Sequence, residues 1–149
     1  MERYRKRDNS RRLLVALFGE LLNIDRHCYF ILRDLPPALI TKKDVMVVKI
    51  AKHGPLKMIR DNISEYGFLT YEDIRDLIQL SMQARNDDLI IDTIVQWSSE
   101  TPMPLIEEEL AALRRRFEKR QVVVKNLLAS IASRNPKLKP LLQWESGRP

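Results

Sequence analysis

His27 and Cys28 are adjacent in the sequence, and an imidazole that reaches a thiol can activate it as a nucleophile. On a helix, neighbouring side chains point about 100° apart, so these two cannot readily form a nucleophile–base pair. We therefore expect Cys28 to be a small core residue and His27 to be a solvated or capping histidine. A single cysteine also excludes an intramolecular disulfide.

A second group that could support chemistry is acidic: Glu72, Asp73 and Asp76 lie within about one helical turn. Such carboxylates could bind a hard cation, but the local sequence offers too few oxygen ligands, and a solvated acidic face is the preferred interpretation. One cysteine and two histidines cannot form a Cys/His zinc site. The sequence also has no Gly-rich phosphate loop and no dinucleotide fingerprint. We predict no catalytic residue, no metal and no cofactor, and a protein that is not an enzyme.

The basic residues are concentrated at the two ends of the chain. The net charge of +6 divides into +4 for residues 1–12, −3 for 13–100 and +5 for 101–149. Basic ends can attract nucleic acid, anionic lipid or an acidic protein, although a solubilising tail is an equally good interpretation of residues 1–12. The candidate nucleic-acid contacts are Arg5, Lys6, Arg7, Arg114, Arg115 and Lys119.

We rank nucleic acid below a protein as the partner. Successive residues of the run Arg114–Arg116 would fan around a helix, where solvation or pairing of Arg114 with Glu118 is the usual outcome. The run also lacks the aromatic residues expected of a single-strand stacking platform.

The composition is that of a globular chain: 149 residues, 44% hydrophobic and 31% charged, with four glycines. These values exclude wholesale disorder and collagen-like or low-complexity classes. Apolar runs are too short for a membrane span, and the basic N-terminus is not followed by a signal-peptide pattern. We expect a cytoplasmic protein, with the nucleus as a second compartment.

Apolar periodicity and capping residues predict an all-α protein. Asn23–Asp25 and Arg85–Asp87 are interpreted as turns, and a helix is favoured over a strand for the β-branched run 45–50, with Thr41 as N-cap and Asp44 at N3. The inner face of the helix capped by Thr70 is assigned to Ile74, Leu77, Ile78 and Met82, and that of the next helix to Leu89, Ile90, Ile94 and Trp97. The predicted helices are 10–22, 26–34, 41–50, 55–66, 70–84, 88–97 and 104–134.

Residues 104–134 form the clearest predicted element, a long amphipathic helix. Its heptad-like stripe consists of Ile106, Leu110, Leu113, Phe117, Val124, Leu127 and Ile131, with Arg120 in the missing position. Such a stripe either packs on its own domain or binds a partner or a second copy. The predicted organisation is a basic segment 1–12, a helical bundle 13–101, the long helix 104–134 and a tail 135–149.

Three stretches resemble the death-fold superfamily of six-helix interaction modules, most closely a death-effector domain. They are Leu17–Asp25, Met58–Leu69 and the pair of segments Asp73–Ile78 and Arg85–Ile90. The caspase-recruitment domain has the same helix order and is the alternative branch. The resemblance implies a compact six-helix bundle over residues 13–97, followed by the long C-terminal helix.

The resemblance also implies a surface charge triad formed by Asp25, Arg85 and either Asp87 or Asp88. Leu89 lies one residue late for the family's Arg-x-Asp-Leu motif, and Tyr29 and Phe30 are candidate aromatic anchors. The implied function is a non-enzymatic adaptor in cell-death or innate-immune signalling, which docks a protein that has a helical interaction module or forms a homo-oligomer.

Two alternatives to the adaptor stay open. One is a small basic helical nucleic-acid-binding protein, of the kind that viruses encode. The other is an assembly subunit that self-associates through the C-terminal helix.

Overall fold

The computed structural model describes residues 1–54, 56–98 and 103–142, with side chains from Ile106 onward in the last range. The described residues form helices and no strand, so the predicted all-α class is confirmed. None of these helices has a stretch long and apolar enough to cross a membrane. The six helices are α1 Glu2–Asp34, α2 Lys42–Ile50, α3 Lys57–Asn62, α4 Tyr71–Trp97, α5 Met103–Arg134 and α6 Lys139–Leu142.

α1 is one continuous helix, and the predicted turn at Asn23–Asp25 is wrong. Ile24 and Cys28 extend the buried stripe of Leu17 and Leu21 at spacings of three and four residues, so the apolar periodicity runs through the predicted break. Asparagine in a helix interior costs only a few tenths of a kcal/mol more than a good helix former, which burial of Ile24 outweighs.

α1 also includes residues 2–12, which the sequence suggested as a separate basic segment or tail. At its other end the helix stops at Asp34, and Leu35 adopts an extended conformation before Pro36. Proline disfavours the helical conformation in the residue before it, which explains this end.

The predicted start of α2 is confirmed. The Thr41 hydroxyl accepts a hydrogen bond from Asp44 N, and the Asp44 carboxylate accepts one from Thr41 N at 2.8 Å, which completes a capping box. The choice of helix over strand for residues 45–50 is confirmed with it. The helix predicted over 55–66 is shorter in the structure. Its α-helical part, α3, ends at Asn62, and a 3-10 turn follows at Ile63–Glu65.

α4 begins at the predicted cap, since Thr70 Oγ1 accepts a hydrogen bond from Asp73 N. The turn predicted at Arg85–Asp87 is wrong, and α4 continues through it as one helix of 27 residues. Asp87 is buried in line with Ala84 and Ile91, so a residue interpreted as a turn former occupies a core position. Its charge is satisfied there by two arginines of α5.

α5 contributes its whole predicted stripe to the core. The stripe packs with buried residues of α1 and α4 in one hydrophobic cluster, so the C-terminal helix is part of the bundle and not an addition to it. Arg120, the polar interruption, is buried as well, with 1% of its surface exposed. Below α5, a 3-10 turn at Pro136–Leu138 leads into α6, and the rest of the predicted tail lies outside the described residues.

A buried ionic cluster joins α4 to α5. The Asp87 carboxylate, 2% exposed, accepts hydrogen bonds from Arg116 Nε and Arg120 Nη2. The Arg120 guanidinium also lies over the Phe117 ring, 4.5 Å from its centroid. Burial of Asp87 and Arg120 is tolerated only because each faces an opposite charge.

We predict that Asp87→Asn lowers the free energy of unfolding by about 3–5 kcal/mol, because it removes the negative charge that the buried Arg120 guanidinium binds. Urea denaturation followed by circular dichroism measures this. The matched control is Asp92→Asn on the same helix, which removes the exposed Lys52–Asp92 pair and is expected to cost less than about 1 kcal/mol. Equal losses for the two variants would contradict the role assigned to Asp87.

Candidate docking groove

A groove of about 610 Å³ lies between α4 and the segment that joins α2 to α3. Its apolar lining comes from Leu56, Met82 and Leu89. Leu56 is buried, but Met82 and Leu89 are 62% and 60% exposed. Large apolar side chains exposed together on one rim are typical of an interaction surface.

The exposed residues follow a second stripe along α4. Ile78, Met82, Arg85 and Leu89 recur at spacings of four, three and four, so they share the outer face of the helix. The prediction that Ile78, Met82 and Leu89 lie on the inner face is wrong. The inner face is formed instead by Leu77, Leu80, Ala84, Asp87, Ile91 and Ile94.

Asp88 fixes the other wall of the groove. Its carboxylate oxygens accept hydrogen bonds from the backbone N–H groups of His53, at 3.1 Å, and Gly54, at 3.0 Å. Gly54 has φ +81°, a conformation that side chains with a Cβ rarely adopt. Asp88 therefore holds a tight turn after α2 against α4, and its carboxylate is used inside the chain.

Of the three cations on the charged rim, Arg85 is the one without an ion-pair partner among the described residues. Lys52 is paired with Asp92, with Nζ 2.9 Å from the nearer carboxylate oxygen, and Arg60 Nε donates to Asp61 at 3.1 Å. Arg85 is exposed and forms no ion pair with any described residue. The groove thus combines apolar side chains with a free guanidinium, which suits a partner that has apolar residues and a carboxylate.

The structure separates the residues of the predicted charge triad. Asp25 is fully buried in α1, and Asp87 is buried against Arg120, so neither carboxylate is at the surface. Arg85 and Asp88 are the two that line the groove together.

The candidate aromatic anchors lie on α1. Phe30 is 41% exposed and packs edge-to-face on Tyr29, with ring centroids 5.5 Å apart. The Arg33 guanidinium lies 4.9 Å from the Phe30 centroid. Neither aromatic side chain lines the groove.

The run of arginines in α5 is used largely within the chain. Arg114 donates to the carbonyl oxygens of Leu32, at 2.8 Å, and Leu35, at 2.6 Å, at the C-terminal end of α1. Pairing of Arg114 with Glu118 is therefore replaced by a helix cap. Arg115 and Lys119 remain exposed, as do Arg5, Lys6 and Arg7 at the start of α1.

The buried position of Arg120 and the outer stripe of α4 were not predicted from the sequence. Arg120 was visible as the only polar residue in an apolar heptad stripe, and an acid on a neighbouring helix was the signal to look for. The outer stripe was visible in the spacing from Ile78 to Leu89, but the predicted turn at residues 85–87 divided it.

Comparison of the chain with protein-family models, curated protein sequences and solved structures gave no match. Among the described residues, no group of three or more His, Cys, Asp or Glu side chains is arranged to hold a metal ion. Cys28 is buried, and burial raises the pKa of its thiol to about 12.

Two histidines lie behind the wall of the groove. His27 Nε2 is 3.0 Å from the carbonyl oxygen of Ile50, and because a carbonyl only accepts, Nε2 carries the hydrogen. His27 thus caps the C-terminal end of α2, and its ring meets that of His53 edge-on at 4.9 Å. Burial lowers the pKa of His27, and burial together with the charges of His27 and Arg120 lowers the pKa of His53 to about 4.

We predict that the thermal midpoint falls as the pH drops from about 6.5 to about 4. Histidine in the unfolded chain has a pKa of about 6.5, so in this window the unfolded state binds protons that the folded state does not. The contribution of the neutral histidines to stability is fully present above the histidine pKa of the unfolded chain. It is lost as the pH falls toward the lower histidine pKa of the folded chain. Differential scanning calorimetry at pH 7 and pH 5 measures the loss.

The variant His53→Gln is expected to show a smaller loss between pH 7 and pH 5, because it removes the group with the lowest histidine pKa. It keeps the backbone N–H that Asp88 binds. Because carboxylates contribute equally in both proteins, the difference between the two pH profiles isolates the histidine. Identical profiles would contradict the assignment.

Proposed function

We propose that the protein is a non-enzymatic interaction module that docks a helical segment of a protein partner in the groove beside α4. The observation that carries the proposal is the outer stripe, in which Met82 and Leu89 are exposed on either side of Arg85, a cation with no ion-pair partner in the described part of the chain. A groove lined by apolar residues at helical spacing suits an amphipathic helix, whose apolar face enters the groove. A carboxylate on the partner would meet Arg85.

The proposal includes docking between copies of this chain as well as docking to a different protein. Contacts between unlike faces need not close into a dimer, and repeated contacts of this kind form chains of subunits. The setting that we propose for homotypic or heterotypic docking, cell-death or innate-immune signalling, rests on the sequence resemblance to death-effector domains alone.

Self-association through the stripe of α5 is not part of the proposal. That stripe is buried against α1 and α4 in the same chain, so a partner could reach it only by opening the core. The groove beside α4 is accessible without such a rearrangement.

We expect Met82→Glu and Arg85→Glu each to weaken self-association of the full chain by roughly thirtyfold or more, as for interface residues worth about 2 kcal/mol. The first variant places a charge in the apolar contact, and the second reverses the available charge. Sedimentation velocity over a range of concentrations measures the association, and circular dichroism checks that the helices are retained.

Two matched controls keep the chemistry of each change and move it away from the groove. Val122→Glu alters an apolar residue of α5 that is 59% exposed, and Arg75→Glu alters an exposed arginine of α4. Both should associate like the unmodified chain. Equal loss in variants and controls would contradict docking at the groove.

A chain that remains monomeric at every concentration would refute the homotypic form. The heterotypic form is then tested with a nuclease-treated pull-down that compares the unmodified chain, Arg85→Glu and Arg75→Glu. The heterotypic form predicts a partner that is captured by the unmodified chain and by Arg75→Glu but not by Arg85→Glu. Partners captured equally by both variants would refute this form.

A further inference from the structure

We propose that the first three turns of α1 form a basic helical arm that binds the phosphate backbone of double-helical DNA. The arm is defined as residues 1–12. Every residue in it is exposed except Ser10, which is half-buried, and the continuous core stripe of α1 begins only at Leu17. At 1.5 Å per residue, the arm extends the helix by about 18 Å.

The charge of the arm is largely unpaired. Arg12 binds Asp8 at 3.1 Å, and the remaining acid, Glu2, forms no ion pair with a described residue. Five basic side chains therefore lack an ion-pair partner within the described part of the chain, namely Arg3, Arg5, Lys6, Arg7 and Arg11.

The unpaired residues are arranged so that a polyanion would relieve their repulsion. Arg3, Arg7 and Arg11 are spaced four apart, so they form a row on one face with about 6 Å between successive positions, and Lys6 lies beside the row. Like charges four apart destabilise a helix. A row of phosphates along the same face would turn this repulsion into attraction and release bound counterions.

Double-helical DNA fits the arm better than the other polyanions. Met1 and Tyr4 are the only large apolar residues among residues 1–12, which is too small an apolar face for a helix that lies on a membrane. A helix about 10–12 Å across matches the B-DNA major groove of about 12 Å, whereas the major groove of RNA duplexes is deep and narrow.

The basic residues of α5 are not part of this site. Arg114 and Arg116 are bound within the chain, and the arm supplies the charge without them. Arg115 and Lys119 are exposed and serve as an internal control for positive charge elsewhere on the surface.

The test is binding of the full chain to a fluorescently labelled DNA duplex of mixed sequence, measured by anisotropy over a series of salt concentrations. If three to five phosphates are contacted, the logarithm of the association constant should fall with that of salt with a slope of about −3 to −4.5. The triple variant Arg3→Gln, Arg7→Gln, Arg11→Gln should reduce the slope by about 3 and weaken binding at low salt at least tenfold. Glutamine has nearly the same helix propensity as arginine, so the arm stays helical.

The control variant Arg115→Gln, Lys119→Gln removes two exposed cations from α5 and should bind DNA like the unmodified chain. The proposal is overturned if the triple variant binds like the unmodified chain, or if the control loses as much affinity per charge removed. It is also overturned if the chain binds phosphatidylserine vesicles but not DNA. Loss of DNA binding with intact self-association, or the converse, separates this proposal from docking at the groove.

Discussion

The carboxylate of Asp87 and the guanidinium of Arg120 meet in the core between α4 and α5, and both are almost completely removed from solvent. A buried ion pair of this kind contributes little net stability relative to an apolar pair of the same size, but breaking it is costly. Its main effect is geometric, because α4 and α5 can slide or rotate against each other only by separating the two charges. Two further contacts support this ion pair. The Phe117 ring lies against the Arg120 guanidinium, and a second arginine, Arg116, donates a hydrogen bond to the Asp87 carboxylate.

The rotation of α4 determines what the molecule presents to its surroundings. Successive residues of a helix are about 100° apart. With Asp87 directed inward, Ile78, Met82, Arg85 and Leu89 all fall within about 40° of the opposite direction, which is toward solvent. Asp88, one residue later, points sideways to the turn at His53 and Gly54. One buried carboxylate thus determines the outer stripe, the wall of the groove and the outward direction of Arg85.

The sequence was informative where one local interaction decides the structure. The capping box at Thr41, the N-cap at Thr70 and the apolar stripe of residues 106–131 follow from short-range rules, and the structure contains them. The predictions failed where a distant partner reverses a local preference. Asn86 and Asp87 are residue types that favour turns. Arg120, more than thirty residues away in the sequence, binds Asp87 and makes it a core residue. The groove could not be predicted for the same reason, since it forms only when α4 is one unbroken helix.

The distribution of positive charge shows why net charge alone says little about partners. Two of the three consecutive arginines of α5 are bound within the chain, where they hold α1 and α4 in place. The arm formed by residues 1–12 brings together, on one helix, five cations that have no ion-pair partner among the described residues. A cation that already satisfies a buried carboxylate or a helix end must give up that contact to bind a phosphate, whereas an exposed one gives up only water and counterions. The arm is therefore the part of the described chain where such cations lie closest together in the sequence, and none of residues 1–12 lines the apolar groove beside α4.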